Sequence, residues 1–471
     1  MRLWLQAGYN KRALFINQPF DTQPTVAGES FADDGGKAGA GGDGADNGTA
    51  DRSSTGNRSD HSNTGFSVLR ERNFRLYYAG IWFSTTAFWV LKIAIGWAAW
   101  ELSRSAFWTG LVAASYLLPA VVLSPMFGVL ADRIRLKRGV QSVVLAQTLI
   151  GLVMSAGFAA DVLNVQLLAV LSVVHGLISA AYHPMRLTLV GRLVARRQIA
   201  AAAGLASIAF NTARVLGPAL AGLLLARFGT ASTLAVGALL YLPYLLLFSL
   251  VTLRTRVRVN KPLMGEFISG LRYARQMPVM LPVITMSLLN GVVGRALFEL
   301  LPAISGGALN AGANGLAIMT GAAGAGAVIA GFTVARFDLN VAQRLSALSV
   351  SVALSCAATL LTGLSRELML AAVFCAVAGF SASYSGITSQ SILQISLEDE
   401  YRGRVMSLWS TVSFGAPAVG ALLMGAIGEV LGTGAAVGVV ACAGLVCAVG
   451  LLPRYWRGSK MLPGTGSVNG S

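Results

Sequence analysis

Charge is the first thing this chain has little of. Only 12% of its 471 residues are Asp, Glu, Lys or Arg, against about 25% in a typical soluble domain. Acids are the scarcer sign, 20 against 36 basic residues, which leaves a net charge of +16. Cysteine is sparse too. Cys356, Cys375, Cys442 and Cys447 all lie in apolar runs with no histidine nearby, so they are expected as small buried hydrophobes, with no disulfide and no metal. The sequence G-x-x-x-x-G-K-[S/T] does not occur, and the glycine run from Gly321 to Gly331 carries no lysine. ATP-driven work by this chain alone is therefore disfavoured. No constellation of His, Asp and Ser converges at one depth, so an enzyme is not expected, and neither is a cofactor.

Apolar length, by contrast, is abundant. Hydrophobic residues make up 55% of the chain, and apolar runs near the roughly 20 residues that cross a bilayer recur through most of it. Short alternating barrel strands are absent from the pattern. The expectation is an all-α integral membrane protein with twelve transmembrane helices, at 77–101, 107–131, 139–160, 163–183, 200–225, 231–253, 280–304, 313–335, 345–364, 367–389, 404–427 and 432–453. The positive charge sits between spans, as the positive-inside rule requires, so nucleic acid is not the expected partner. Basic residues crowd the even-numbered connections, among them Arg133, Arg135, Lys137, Arg138, Arg192, Arg196, Arg336 and Arg344, while the odd ones hold Arg104, Arg227 and Arg366. Both termini are then cytoplasmic.

The chain divides into five regions. Residues 1–70 form a cytoplasmic tail. Its Gly, Asp, Asn, Ser and Thr content cannot bury a core, so it is expected to be disordered. It lacks a signal-peptide apolar stretch and reads either as a regulatory tail or as an upstream-start artefact. Residues 71–253 and 280–453 are two six-helix bundles, 254–279 is a basic cytoplasmic loop, and 454–471 is a second cytoplasmic tail. The bundles echo each other. Gly217-Pro218 with Gly222, and Gly128 with Arg133, recur roughly 200 residues later as Ala416-Pro417 with Gly420, and Gly331 with Arg336. Duplicated halves of this kind place a substrate site near mid-membrane, between them.

The loop Gly128-Val-Leu-Ala-Asp-Arg-Ile-Arg-Leu-Lys-Arg138 resembles the G-x-x-x-D-R-x-x-[R/K]-[R/K] signature of the major facilitator superfamily. Gly128, Asp132 and Arg133 match directly, and Lys137 and Arg138 within one position. The span with Gly204, Ala213, Gly217, Pro218, Ala221 and Gly222 resembles the G-x8-G-x3-G-P-x2-G-G motif of that superfamily's exporters, with two glycines replaced by alanine. Further stretches, from Phe74-Arg-Leu-Tyr-Tyr-Ala-Gly80 through Phe210-Asn-Thr-Ala-Arg-Val-Leu-Gly-Pro218 to Arg402-Gly-Arg-Val-Met-Ser407, are similar to the branch of siderophore exporters and macrolide-efflux proteins. Ser172 stands where many exporters carry arginine. The resemblance implies two pseudo-symmetric six-helix bundles, alternating access and proton antiport in a bacterial inner membrane. It implies that Gly128, Asp132, Arg133, Lys137 and Arg138 form a conformational switch, and that Gly204, Gly217, Pro218 and Gly222 form an antiporter-type packing face.

Charges inside spans are costly and mark functional candidates. They are Lys92 in the first span, Arg214 in the fifth, and Arg295 and Glu299 in the seventh. Arg295 and Glu299 are four apart, so they can meet on one helix face. Glu299 is the candidate proton-coupling carboxylate. Three cations against one acid favour an anionic substrate, a siderophore first and a macrolide-like drug second. Against this, Lys92 snorkelling to the interface, Arg214 bound to backbone carbonyls, and a static Arg295–Glu299 pair are the structural alternatives. His175 and His183 are candidate proton relays, though a structural histidine is commoner. Gln147, Asn211, Asn290, Ser381, Ser383, Tyr384 and Ser385 are polar candidates that more often bond neighbouring helices. The protein is expected to work as a monomer with the lipid bilayer, protons and a small molecule as partners. A non-transporting membrane sensor that uses residues 1–65 is the alternative from another class.

Overall fold

A computed structural model describes residues 67–133, 135–253, 277 and 279–459. The expected tail over residues 1–65 and nearly all of the central loop lie outside the described residues. Within them there is no strand. The helices are α1 (Arg72–Ser103), α2 (Ala106–Arg133), α3 (Leu136–Ala159), α4 (Val165–Leu193), α5 (199–228), α6 (230–249), α7 (Met280–Ala308), α8 (Gly312–Arg336), α9 (Val341–Leu364), α10 (Leu368–Ser396), α11 (Asp399–Leu431) and α12 (Thr433–Ser459). Twelve membrane-crossing segments therefore stand in antiparallel succession. One end of the bundle carries the α1–α2 connection and the other odd-numbered ones. The opposite end carries α2–α3 and the other even-numbered ones.

Several helices outrun their apolar runs. α4 continues past 183 through Arg186 and Arg192 to Leu193, and α11 begins at Asp399 rather than at 404. A helix satisfies its own backbone, so it need not stop where hydrocarbon stops. The apolar pattern predicts a loop between α5 and α6, over about 226–230. The backbone ladder instead runs from Ile199 to Leu239, with one break at Gly229, where φ is +76° and ψ −179°. Glycine takes that conformation without a Cβ clash, so a single residue makes the bend. Two helix starts carry side-chain caps. Asn164 accepts from the Leu167 N–H, and Asn340 and Gln343 form a reciprocal capping box at the head of α9.

α7 is irregular in two places. Gly291–Arg295 and Ile304–Ala308 are π-helical, with α-helix between them. Each such turn inserts a residue and rotates the remainder of the helix, and π-turns cluster at functional sites.

The exterior is apolar: Leu246, Leu281, Phe332 and Val446 are each more than 60% exposed. On a soluble protein so much exposed apolar surface would mark an interface; on transmembrane helices it is the lipid face. Inside, small residues let backbones approach. A Cβ at Gly326 would strike the Ala376 carbonyl and one at Gly379 the Ala323 carbonyl, which locks α8 to α10. The two halves meet through α2 against α11, α5 against α8 and α1 against α7. Side-chain hydrogen bonds that join them include Lys92 to Glu299 and Ser105 Oγ to Glu429, the latter at 2.8 Å. Near that same α1–α2 end Trp100 lies on Gly307, its Cη2 2.6 Å from where a Cβ would sit, and the Ala106 carbonyl is 2.7 Å from the Cβ position of Gly425. The halves are thus sealed together toward the α1–α2 end.

Gly379→Val should lower the thermal unfolding midpoint of the detergent-purified protein by an amount equivalent to about 1–3 kcal/mol, the usual cost of overpacking. Gly331→Val, at a position with nothing within 4 Å of a Cβ, should leave it near wild type. Equal midpoints for the two variants would contradict the close α8–α10 approach.

Candidate functional site

Between the halves, at mid-span, lies a cavity of about 210 Å³. It is lined from α1 by Phe88, Trp89 and Lys92, from α2 by Tyr116 and Leu117, from α5 by Phe210, Arg214 and Pro218, from α7 by Arg295, Phe298 and Glu299, and from α8, α10 and α11 by Thr320, Ser383, Ser413 and Phe414 among others. The four ionisable candidates at 92, 214, 295 and 299 therefore share one wall system, although they come from three helices and both halves.

Their pairing departs from the spacing on α7. Lys92 Nζ stands 2.6 Å from Glu299 Oε1, with the two side chains 18% and 10% exposed. This bond crosses from α1 to α7, so it joins the halves as well as neutralising the acid. Arg295, on the first π-turn, donates from Nη1 to the Ser413 carbonyl of α11 at 3.3 Å. Arg214 has no acidic partner among the described residues. Its guanidinium lies 6.0 Å from the Trp89 ring centroid, and Lys92 Nζ lies 5.3 Å from the same ring. Cations over an indole face gain roughly 0.5–2 kcal/mol, less than an ion pair in so dry a place needs. Trp89 also packs edge-on to Phe88 at 5.2 Å and against Phe210 at 6.1 Å, and Arg186 lies 4.7 Å from the Phe210 ring. The result is an aromatic wall flanked by cations, with one acid already claimed.

The remaining predicted residues scatter. Gly128, Asp132 and Arg133 belong to α2, but their side chains lie outside the described residues, as does that of His183. Lys137 donates to the Ser249 carbonyl at 2.7 Å, a cation at the C-terminal end of α6. Arg138 is exposed. In the helix 5 motif, Gly222 sits on the backbone of Ala317 in α8, Gly217 sits on Trp89, and Pro218 lines the cavity, while Gly204 has nothing within 4 Å of a Cβ. Ser383 reaches the cavity. Ser381 and Ser385 bond carbonyls of their own helix, Asn290 donates to the Ala382 carbonyl, and Asn211 is exposed and bonded to the Ser207 carbonyl. Sequence reasoning offers Trp89, seven residues from Trp82, as either an aromatic-substrate contact or a lipid or helix contact, and misses its place between two cations. The signal is in the spacing: Trp89 with Lys92, and Phe210 with Arg214, are three and four residues apart, the helix-neighbour intervals.

Twelve antiparallel spans, two joined bundles and a charged cavity on the seam define a transporter of the major facilitator type. The chain matches the model of the transmembrane secretion effector family over residues 63–457 and belongs to that family. Among curated proteins it is 28% identical over 190 residues to the uncharacterized MFS-type transporter YfiS of Bacillus subtilis (strain 168), covering 39% of this chain and 44% of that one. It is 27% identical over 156 residues to the staphyloferrin A transporter of Staphylococcus aureus (strain NCTC 8325 / PS 47), covering 32% and 39%. The matched stretches thus span less than half of these relatives. Among solved structures, the POT family transporter PepTSo superposes with a TM-score of 0.62 at 14% identity, covering 83% of this chain and 99% of that one. The nucleoside transporter NupG gives 0.59 at 14%, covering 82% and 99%. These establish the fold.

Lys92→Met and Glu299→Gln should each destabilise the protein, and the double substitution should cost less than the two single effects added together. The coupling expected in a thermal-unfolding cycle is about 0.5–3 kcal/mol. Additive effects would mean that the two side chains do not hold the halves together.

Proposed function

We propose that this protein is a secondary active exporter of the bacterial inner membrane, which moves a small anionic or amphiphilic molecule out of the cytoplasm by proton antiport and alternating access. The observation that carries this reading is Arg214. It lines the cavity between the halves without an acidic partner among the described residues, while Lys92 already holds the one lining acid, Glu299. An uncompensated charge in a desolvated site is costly, and an anionic substrate supplies what is missing. The excess of positive charge favours an anion over a macrolide, the runner-up substrate class, whose amino sugar is cationic at neutral pH. The partial likeness to a staphyloferrin A transporter supports a siderophore as the first choice.

The basic even-numbered connections favour a cytoplasmic α2–α3 end, so the close contacts described between the halves at the α1–α2 end lie on the outer side. Lys92 holds one anion at a time. An incoming substrate that takes Lys92 releases Glu299 and loosens the seam at the outer end. After the substrate leaves outward, Glu299 takes a proton from outside. The empty carrier returns, and re-formation of the Lys92–Glu299 pair expels that proton inward. The exposed apolar helices face the bilayer, and one chain contains the whole cycle, so a monomer suffices.

The reading is tested in proteoliposomes with staphyloferrin A as the probe and pyranine as the proton reporter. Probe and proton should move in opposite directions, and an uncoupler should collapse probe accumulation. Glu299→Gln should abolish probe-driven proton movement. Arg214→Gln should weaken probe binding by about tenfold, or about 1.4 kcal/mol. Protons that travel with the probe would replace antiport by symport. Unchanged affinity in Arg214→Gln would remove that residue from the site, and tighter binding of erythromycin than of staphyloferrin A would favour the runner-up substrate.

A further inference from the structure

A second polar feature lies inside the N-terminal half, apart from the charged cavity. On α4, His175, Ser179, Tyr182 and Arg186 are spaced by four, three and four residues, so they form one stripe along a single helix face. The stripe looks into the bundle. His175 is fully buried. Its ring lies 5.3 Å from that of Tyr116 on α2, and Tyr116 lines the cavity. Ser179 accepts from Gln147 Nε2 of α3 at 3.0 Å and from the Tyr116 hydroxyl at 3.5 Å. Further toward the α2–α3 end, the Tyr182 ring meets that of Tyr244 on α6 at 6.4 Å, and Tyr244 meets Tyr77 on α1 at 6.5 Å.

This region is polar, buried and short of partners. Both ring nitrogens of His175, Gln147 Oε1, and the hydroxyls of Tyr77 and Tyr241 are buried with no hydrogen-bond partner, and the buried hydroxyls of Tyr182 and Tyr244 have at most each other. These groups are gathered in one half-bundle. A dry arrangement of this kind would forfeit roughly 1–3 kcal/mol for each atom. Native interiors settle such groups with ordered water, each molecule bridging two to four of them. We infer that the α4 stripe and the tyrosines around it form a hydrated conduit, running from the α2–α3 end to the cavity at Tyr116, and that His175 is the group that holds a proton on it.

The conduit rests on the proton coupling proposed above and gives the proton a path separate from the substrate's. A proton leaving the Glu299 carboxyl passes through cavity water to a ring nitrogen of His175. It then moves along the hydroxyls and waters to solvent at the α2–α3 end, and His175 returns to its neutral form. The titratable or charged groups that face this path are Tyr116 from α2, Tyr77 from α1, Tyr241 and Tyr244 from α6, and Tyr182 and Arg186 on α4 itself. α3 contributes only the neutral Gln147. Glu299 faces the cavity end of the path beside Tyr116; among the described side chains no other acid faces it.

Two measurements on the full chain in nanodiscs or liposomes test the inference. Hydroxyl-radical footprinting needs no substrate and no variant. Tyr77, Tyr241 and Tyr244 are at most 1% exposed, and Met286 and Met319 in the other half are 0% exposed. Radicals arise from water, so tyrosines beside buried water should be labelled well ahead of these methionines. Labelling of the tyrosines as slow as that of the methionines would show a dry interior and overturn the conduit, whatever the transport assay gives. In the pyranine assay, His175→Gln should cut probe-driven proton movement by about tenfold while staphyloferrin A binding stays within about twofold of wild type. Proton movement at the wild-type rate would remove His175 from the path. Should wild-type protein move no protons with the probe, the proton-antiport reading fails by itself, and the footprint still decides whether the conduit is wet.

Discussion

A charge in a low-dielectric interior needs a partner, and everything distinctive about this protein comes from how few partners it has. The lining of the central cavity offers three cations and a single carboxylate. Because the carboxylate is on α7 and the cation that claims it is on α1, satisfying the charge also helps to close the seam between two bundles that otherwise meet largely through close packing and the Ser105–Glu429 hydrogen bond. Van der Waals packing between small residues holds helices together in lipid, but it is indifferent to what occupies the cavity. The ion pair is not. It is the contact across the seam whose strength changes when another charged species arrives.

The aromatic wall shapes that sensitivity. Trp89 serves Lys92 and Arg214 at once, and Phe210 serves Arg186, so rings help to hold the cations in place, and Arg214 has no acid tying it among the described residues. A guanidinium tied by two carboxylates would be structural; one resting on an indole face remains available. The same economy separates the two polar systems of the N-terminal half. The cavity carries formal charge and few unpaired neutral groups, whereas the α4 stripe carries unpaired neutral groups and no acid.

Much of the architecture is legible in one dimension because the bilayer imposes a length on every span and the loops carry the charge bias. Twelve spans, the division after the sixth, and the four intramembrane ionisable residues come from those two rules alone. Rotation is not legible. Spacing puts Arg295 and Glu299 on one face of α7 and leaves them to pair. In the structure each finds a partner on another helix instead, at or just past the end of the π-turn Gly291–Arg295. Backbone irregularities of this sort have no strong sequence signature. The α5–α6 bend escapes a sequence reading for a related reason, since a single glycine at position 229 does the work of a whole loop. The tyrosines on α1, α4 and α6 look like ordinary aromatic filling in one dimension. Only packing brings their hydroxyls to one place.

The two π-turns of α7 bear on how such a helix can move. Each stores one residue more than an α-helix of the same rise would hold. Sliding that surplus along the helix, a turn at a time, re-aims every side chain it passes by about a quarter of a revolution, and each backbone hydrogen bond is exchanged for its neighbour rather than lost. Glu299 sits between the two surpluses. It stands on an α-helical segment bounded at each end by a π-turn, where a shift of either surplus would re-aim its carboxylate without parting the two bundles.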